Sequence, residues 1–347
     1  MKHIAALALL AAASASASAQ SSVTLFGIAD VGVRNVKNGD NSVKSLSSNG
    51  VNTSRLGFRG TEDLGGGLKA GFWLETGLNP DTGSQSDGTR FWNRRSTVSL
   101  AGTFGEVRLG RDTTPTFTGY ADFDAFGTNG VGAADKFANA LGTTADTLVR
   151  ADNLVSYFAP ANIGGFYGQA TVGAGEGVSG KKYFGGRAGY RAGPMDVSVA
   201  VGQTTVTPLV AGDDKFKVYD FAGSYDFGVA KLTGYYSQIK YANAKLGIAN
   251  IGVLVPLGQG TLRASYINAN AKGTNAAGAS IDANDANQLA IGYVYDLSKR
   301  TALYGTLARV NNKGAASFAV ASVPALPSPN SSGKDSTGYE FGLRHSF

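Results

Sequence analysis

The 347-residue chain has no cysteine, two histidines, two methionines and nine prolines. Without thiols it has no structural disulfides, no thiolate nucleophile and no cysteine-based metal site. His3 lies in a leader-like start, so His345 is the one imidazole left for the rest of the chain. Catalysis by a histidine base, or a transition-metal site built on imidazole, has almost nothing to draw on, and no enzyme activity is expected. No apolar run after residue 19 approaches the roughly 20 residues of a spanning helix. No spaced Asp/Asn/Gly loop of the calcium-binding kind appears either. The formal net charge is +6, but the basic residues alternate within strand-like segments and form no stripe, so nucleic acid is not an expected partner.

What is abundant is glycine, at 49 residues, with aromatics at 10%. That combination, with few helix signals, points to an all-β protein. At the start, Met1-Lys2-His3 is followed by an apolar run from Ile4 to Ala13 and by Ala17-Ser18-Ala19 before Gln20. This is the pattern of a cleaved secretory signal, so residues 1–19 are expected to be removed and 20–347 to form the exported domain.

Along that domain one pattern repeats: strand, tight turn, strand, longer polar loop. Seven tight turns are legible, at 63–67, 103–105, 161–165, 192–194, 226–228, 257–260 and 296–299, each flanked by period-2 segments. Seven hairpins give fourteen strands, and SVTLFGIADVGVR (22–34) and TGYEFGLRHSF (337–347) bring the total to sixteen. Each is roughly 8–12 residues, long enough to cross a bilayer at a tilt. Longer loops are expected at 35–51, 77–89, 113–149, 271–284 and 312–335. Short turns on one side and long loops on the other organise a transmembrane barrel.

The alternation has two senses. Leu56 and Phe58 share one face of their strand, and Arg55, Gly57 and Arg59 the other; Val197, Val199 and Val201 oppose Asp196, Ser198 and Ala200. A soluble sandwich turns its apolar face inward, whereas a barrel in lipid turns it outward and lines its lumen with the polar face. The export signal and the strand-like, aromatic end at Phe347 favour the barrel, whose last strand must pair with its first to remove both edges.

SSVTLFGIAD (21–30), TSRLGFRGTEDLGGGLKAGFWLE (53–75), RRSTVSLAGTFGEVRLGRD (94–112), NLVSYFAP (153–160), YDFGVAKLTG (225–234), YDLSKRTALYG (295–305) and the closing GLRHSF are spread over the whole exported chain. Together they resemble the trimeric general porins of Gram-negative outer membranes, in particular the anion-selective β-proteobacterial branch. The resemblance implies a sixteen-stranded antiparallel barrel in the outer membrane and a homotrimer meeting through the first and last strands. It places the chain among outer-membrane lipid and lipopolysaccharide, with small anions as permeants and no cofactor. It also implies a third extracellular loop folded into the lumen, and 113–149, the longest loop, fits that place.

In the related porins wall arginines lie opposite this loop. By motif Arg55, Arg94 and Arg150 match that cluster; strict alternation favours Arg95 over Arg94, so both are carried, and Arg59 shares the face of Arg55. Asp122 and Asp124 on the loop and Glu75 on the wall are the candidate acids of an opposing field. An arginine on the lipid face costs ~2–4 kcal/mol at mid-bilayer, so the alternation directs these side chains to the lumen. A guanidinium cluster between low-dielectric walls attracts small anions and stays charged at physiological pH. The expected function is passive diffusion of small hydrophilic solutes with anions preferred. The alternative is a substrate-specific channel for organic acids or phosphate.

Two other motifs carry nothing. GEGVSGKK (175–182) nearly matches a phosphate-binding loop, but Lys182 stands where the magnesium-binding hydroxyl belongs and no helix follows. LGGGLKAG is a turn between strands, not a strand-to-helix dinucleotide loop.

Overall fold

A computed structural model describes residues 22–161, 163–321 and 331–347; the expected leader at 1–19 lies outside them. Eighteen strand segments follow one another. The first half comprises β1 (Ser22–Asn38), β2 (Asn41–Ser48), β3 (Arg55–Gly65), β4 (Leu68–Asn79), β5 (Ser84–Gln85), β6 (Arg95–Gly102), β7 (Gly105–Thr113), β8 (Arg150–Phe158) and β9 (Phe166–Gly173). The second comprises β10 (Tyr183–Ala192), β11 (Met195–Thr205), β12 (Lys215–Asp226), β13 (Lys231–Tyr241), β14 (Ala244–Leu257), β15 (Gly260–Lys272), β16 (Ala286–Asp296), β17 (Thr301–Asn312) and β18 (Ser336–Ser346). Sixteen of these pair antiparallel in a closed ring, and the other two, β2 and β5, are extensions on the long-loop side.

All seven expected hairpins are present. Closure comes from β1 against β18, in register from Ile28↔Ser346 to Asn38↔Ser336. Beyond that ladder Gly27 and Phe347 exchange both backbone hydrogen bonds at 3.0 Å. A Cβ on Gly27 would sit 2.9 Å from the Arg55 carbonyl oxygen and would also push against the Phe347 ring, so the seam is tight at this position.

The long-loop side corrects two expectations. Residues 35–51 are not all loop: β1 runs on to Asn38 and turns at Gly39 (φ 56°) into β2, which pairs with the upper half of β1 while β3 pairs with the lower half. Lys37, Lys44 and the serines of β2 are polar on both faces and gave no strand signal. The second correction is a tight turn on the side expected to carry long loops. Only Ala242 and Asn243 join β13 to β14, with Ala242 at φ 47° and no glycine to announce it.

Exposure confirms the sense of the alternation. Val199 and Val201 are about half exposed (50% and 46%), while Ser198 and Ala200 between them are buried at 3% and 2%. The same outward row recurs as Val98, Leu109, Val155, Phe221, Ile251, Leu289 and Phe341. A belt of this size far exceeds the few hundred Å² of apolar patch that soluble monomers tolerate, and it requires lipid. The buried apolar cluster lies instead where Phe123, Phe126, Val131 and Phe137 of the 113–149 segment meet Ile239, Ile267 and Val310 of the wall.

Candidate pore-lining site

Strands β3 to β8 carry a concentration of arginines on the face opposite the apolar belt. Strand parity places Arg55, Arg59, Arg95 and Arg108 on that face, and Arg150, beyond a register shift in β8, is brought to the same cluster by its Nε bond to Arg94 O. Arg111 reaches it through a bulge between Gly110 and Asp112, where the β7–β8 register shifts. Gly110 sits at φ 122°, and a Cβ there would lie 2.1 Å from the Ser96 carbonyl oxygen, so only glycine fits.

Glu75 is the hub. Its Oε1 accepts from Arg94 Nε at 2.5 Å and lies 3.4 Å from Arg55 Nη1, and its Oε2 accepts from Trp73 Nε1 at 3.0 Å. Arg94 precedes β6 and Arg95 opens it opposite Glu75, so both reach the same region. The Arg95 guanidinium lies 4.5 Å from the Trp73 ring and 3.7 Å from Asp112 Oδ2, and its Nε donates to Thr97 Oγ1 at 3.0 Å. Arg59 stacks over Trp73 at 5.2 Å and Phe26 at 5.4 Å.

Backbone carbonyls hold three of these side chains by Nε: Arg55 to Thr53 O at 3.0 Å, Arg150 to Arg94 O at 2.9 Å and Arg111 to Asn93 O at 2.7 Å. Tethering at Nε fixes the planar group and leaves its two Nη atoms for other partners. Arg111 gives one of them to Asp152 at 2.5 Å, and Arg108 binds Glu106 at 3.0 Å and Asp112 at 2.6 Å. The seven arginines 55, 59, 94, 95, 108, 111 and 150 face four acids, Glu75, Glu106, Asp112 and Asp152, which leaves an excess of three positive charges on this wall.

The candidate acids are placed differently from one another. Glu75 stands among the arginines rather than across from them. Asp122 pairs with Arg187 of β10 at 2.6 Å. Asp124 is buried and turned into its own loop, accepting from the backbone N–H groups of Phe126, Thr128 and Ala134 at 3.0–3.2 Å; burial raises its pKa.

The 113–149 segment opens with a short helix, α1 (Pro115–Ala121), whose first turn is capped by the Thr114 hydroxyl accepting from Phe117 N–H at 3.3 Å. Further on, Val131 N–H donates to Glu340 Oε1 at 3.0 Å, and Glu340 is also paired with Arg34 at 2.7 Å. Gln288 Nε2 donates to Gly132 O at 2.8 Å. Lys136 Nζ donates to Val131 O, Gln288 Oε1 and Val320 O at 2.7, 3.0 and 2.7 Å, and burial lowers its pKa to about 8. The strand partners of these contacts, Glu340, Gln288 and Arg34, alternate with the exposed apolar row. A polar cleft of 820 Å³ opens beside them, lined by Arg34, Thr53, Asn129, Asp135 and Lys136 among others.

Sequence reasoning passed over Glu340, Arg34, Arg187 and Lys136. For Glu340 the signal was present, a carboxylate between Tyr339 and Phe341 in the same alternation that marked Arg55. His345 is exposed near the turn side, its Nδ1 2.9 Å from Thr301 Oγ1. GEGVSGKK forms the loop joining β9 to β10.

A closed sixteen-stranded antiparallel barrel with an apolar belt outside and a charged wall inside is a membrane channel of the outer-membrane type. Comparison with known proteins names the family: the Gram-negative porin pattern matches residues 6–315, and the chain belongs to that family. The outer membrane porin protein 32 of Delftia acidovorans is 42% identical, over 100% of this chain and 99% of its own length. An outer membrane porin protein of Bordetella pertussis is 31% identical, over 87% of this chain and 92% of its own length. Among solved structures, an anion-selective porin from Comamonas acidovorans superposes with a TM-score of 0.83 at 38% identity, covering 94% of this chain and all of that one. The protein is therefore an outer-membrane porin.

Proposed function

We propose that this porin is a passive diffusion channel for small hydrophilic solutes that prefers anions. The observation that carries the reading is the excess of three positive charges on the β3–β8 wall, with three guanidiniums fixed by backbone carbonyls. In this reading Arg55, Arg94, Arg95 and Arg150, with Arg59 behind them, line the narrowest part of the lumen. The 113–149 loop folds into that lumen, and its contacts with Glu340, Gln288 and Arg34 support this placement. The opposing acid is then Asp122, half exposed beside Arg187; Glu75 serves to hold two arginines, and Asp124 to shape the loop. The similar Comamonas porin is anion-selective, which agrees with the reading. Nothing in the site performs a covalent step. The mature chain starts after residue 19 and assembles as a homotrimer.

The test is the zero-current potential of the purified protein in a planar bilayer across a tenfold KCl gradient. A chloride-preferring potential that falls in Arg55→Ala supports the assignment. A cation-preferring potential overturns it.

A further inference from the structure

The outward face of the barrel carries charge in one place where its neighbours are apolar. Lys217 of β12 is directly opposite Lys240 of β13, Lys240 is opposite Lys245 of β14, and Lys245 is opposite Lys272 of β15. Parity puts all four outside: Lys217 shares its face with exposed Tyr219 and Phe221, Lys240 with Tyr236, Lys245 with Ile251 and Lys272 with Tyr266. Four ammonium groups on adjacent strands span about 15 Å at the usual strand spacing. Like charges directly opposite each other destabilise a sheet, and none of the four forms an ion pair among the described residues. Three of the nearby loop acids are otherwise engaged: Asp214 binds Lys215, Asp282 accepts from Gly273 N–H, and Asp285 from Ala271 N–H. Lys240 Nζ lies 5.3 Å from the Tyr219 ring, so the row stands on the upper edge of an aromatic band.

The same strands carry a second feature. Gly223 and Gly234 are paired across β12 and β13, and their missing side chains open a depression of 450 Å³ among Phe221, Tyr225, Leu232, Tyr236 and Ile251. It lies six residues below Lys217, about 20 Å along the strand, or roughly 15 Å of depth at a barrel tilt of ~40°. That is about the thickness of one hydrocarbon leaflet. Because the lysines stand at the long-loop ends, the leaflet is the outer one; this orientation rests on the porin reading above.

We propose that β12–β15 form a docking surface for a single lipid whose head carries two or more phosphates, the head lying along the lysine row and one acyl chain in the Gly223–Gly234 depression. A one-phosphate head satisfies too few of four unpaired cations. A free phosphate has no use for the apolar depression beneath them.

Retained lipid can be counted by native mass spectrometry of detergent-solubilised protein incubated with cardiolipin, which has two phosphates, or with phosphatidylglycerol, which has one. The wild type should retain cardiolipin at least tenfold better. K217Q/K240Q/K245Q/K272Q should fall to the phosphatidylglycerol level, while the turn-side control K69Q/K231Q/K299Q stays unchanged. Heat-modified gel mobility reports folding of each variant independently. Filling the depression with G223L should weaken cardiolipin retention severalfold with all four lysines in place. No preference in the wild type, or full retention by the four-lysine variant, would overturn the proposal. So would complete displacement by millimolar inorganic phosphate, and an unaffected G223L would remove the chain-binding half.

Discussion

Replacing Arg55 with alanine removes one full charge from the β3–β8 wall, because Glu75 stays neutralised by Arg94 at 2.5 Å. For an ion passing ~7 Å from that charge, Coulomb's law gives ~0.6 kcal/mol in bulk water and ~2.4 kcal/mol at an effective dielectric of 20. Screening at 0.1 M salt, with a Debye length of ~10 Å, halves these to ~0.3 and ~1.2 kcal/mol. Chloride loses what potassium gains, so the permeability ratio changes by twice the energy, ~0.6 to ~2.4 kcal/mol, or about threefold to sixtyfold. The assay is the zero-current potential across a KCl gradient, with R55A and E75Q measured side by side. Removing the carboxylate raises the net positive charge, so E75Q must shift the potential the opposite way, toward chloride. Shifts of the same sign in both variants, or no shift in R55A, refute the electrostatic reasoning.

Four further outcomes are expected. R150K keeps the charge but loses the Nε bond to Arg94 O; it should lower chloride preference part of the way toward R150A in the same assay, since lysine has no planar fork to fix. G110A forces a side chain into φ 122° against Ser96 O, and a thermal unfolding midpoint should register a loss of about 1–3 kcal/mol. F347A removes a half-exposed ring from the β1–β18 seam and should cost about 1–2 kcal/mol, read as a lower midpoint on heat-modified gels. Lys136 is lowered from 10.5 to about 8 by burial. Between those values the unfolded chain holds a proton that the folded one has released, so this group's contribution to stability rises with pH across that window. Midpoints measured from pH 8 to 10.5 should climb less steeply in K136M than in the wild type, and parallel profiles would refute the assignment.

The seven hairpins were legible because each turn is written in Gly, Asp and Asn between segments of period 2, and lipid demands a strict division of faces. Where both faces are wet that demand disappears, which is why β2, with its four serines and Lys44, read as loop. The Ala242–Asn243 turn left no mark because an alanine at positive φ is set by the pairing of Tyr241 with Ala244, not by its own chemistry. For the site, parity and motif picked out Arg55, Arg59, Arg94, Arg95 and Arg150, which the fold gathers on one wall, but not Arg108 beside them and not their partners. That Arg55 and Arg94 share Glu75 depends on how β3, β4 and β6 slide against one another, and register is decided only when the sheet is assembled. The part played by Asp124 was hidden for a similar reason: its three N–H donors are loop backbone, whose conformation has no periodic signature.

The carbonyl tethers at Nε have a consequence for transport itself. A guanidinium pinned by Thr53, Asn93 or Arg94 has no ordering left to do when an ion arrives, because that entropy was surrendered at folding. In the proposed channel a solute therefore meets a standing field rather than a set of arms that must close around it and reopen. On that proposal, passage should have the temperature dependence of diffusion in water, with traffic set by the gradient and not by the protein's own motions.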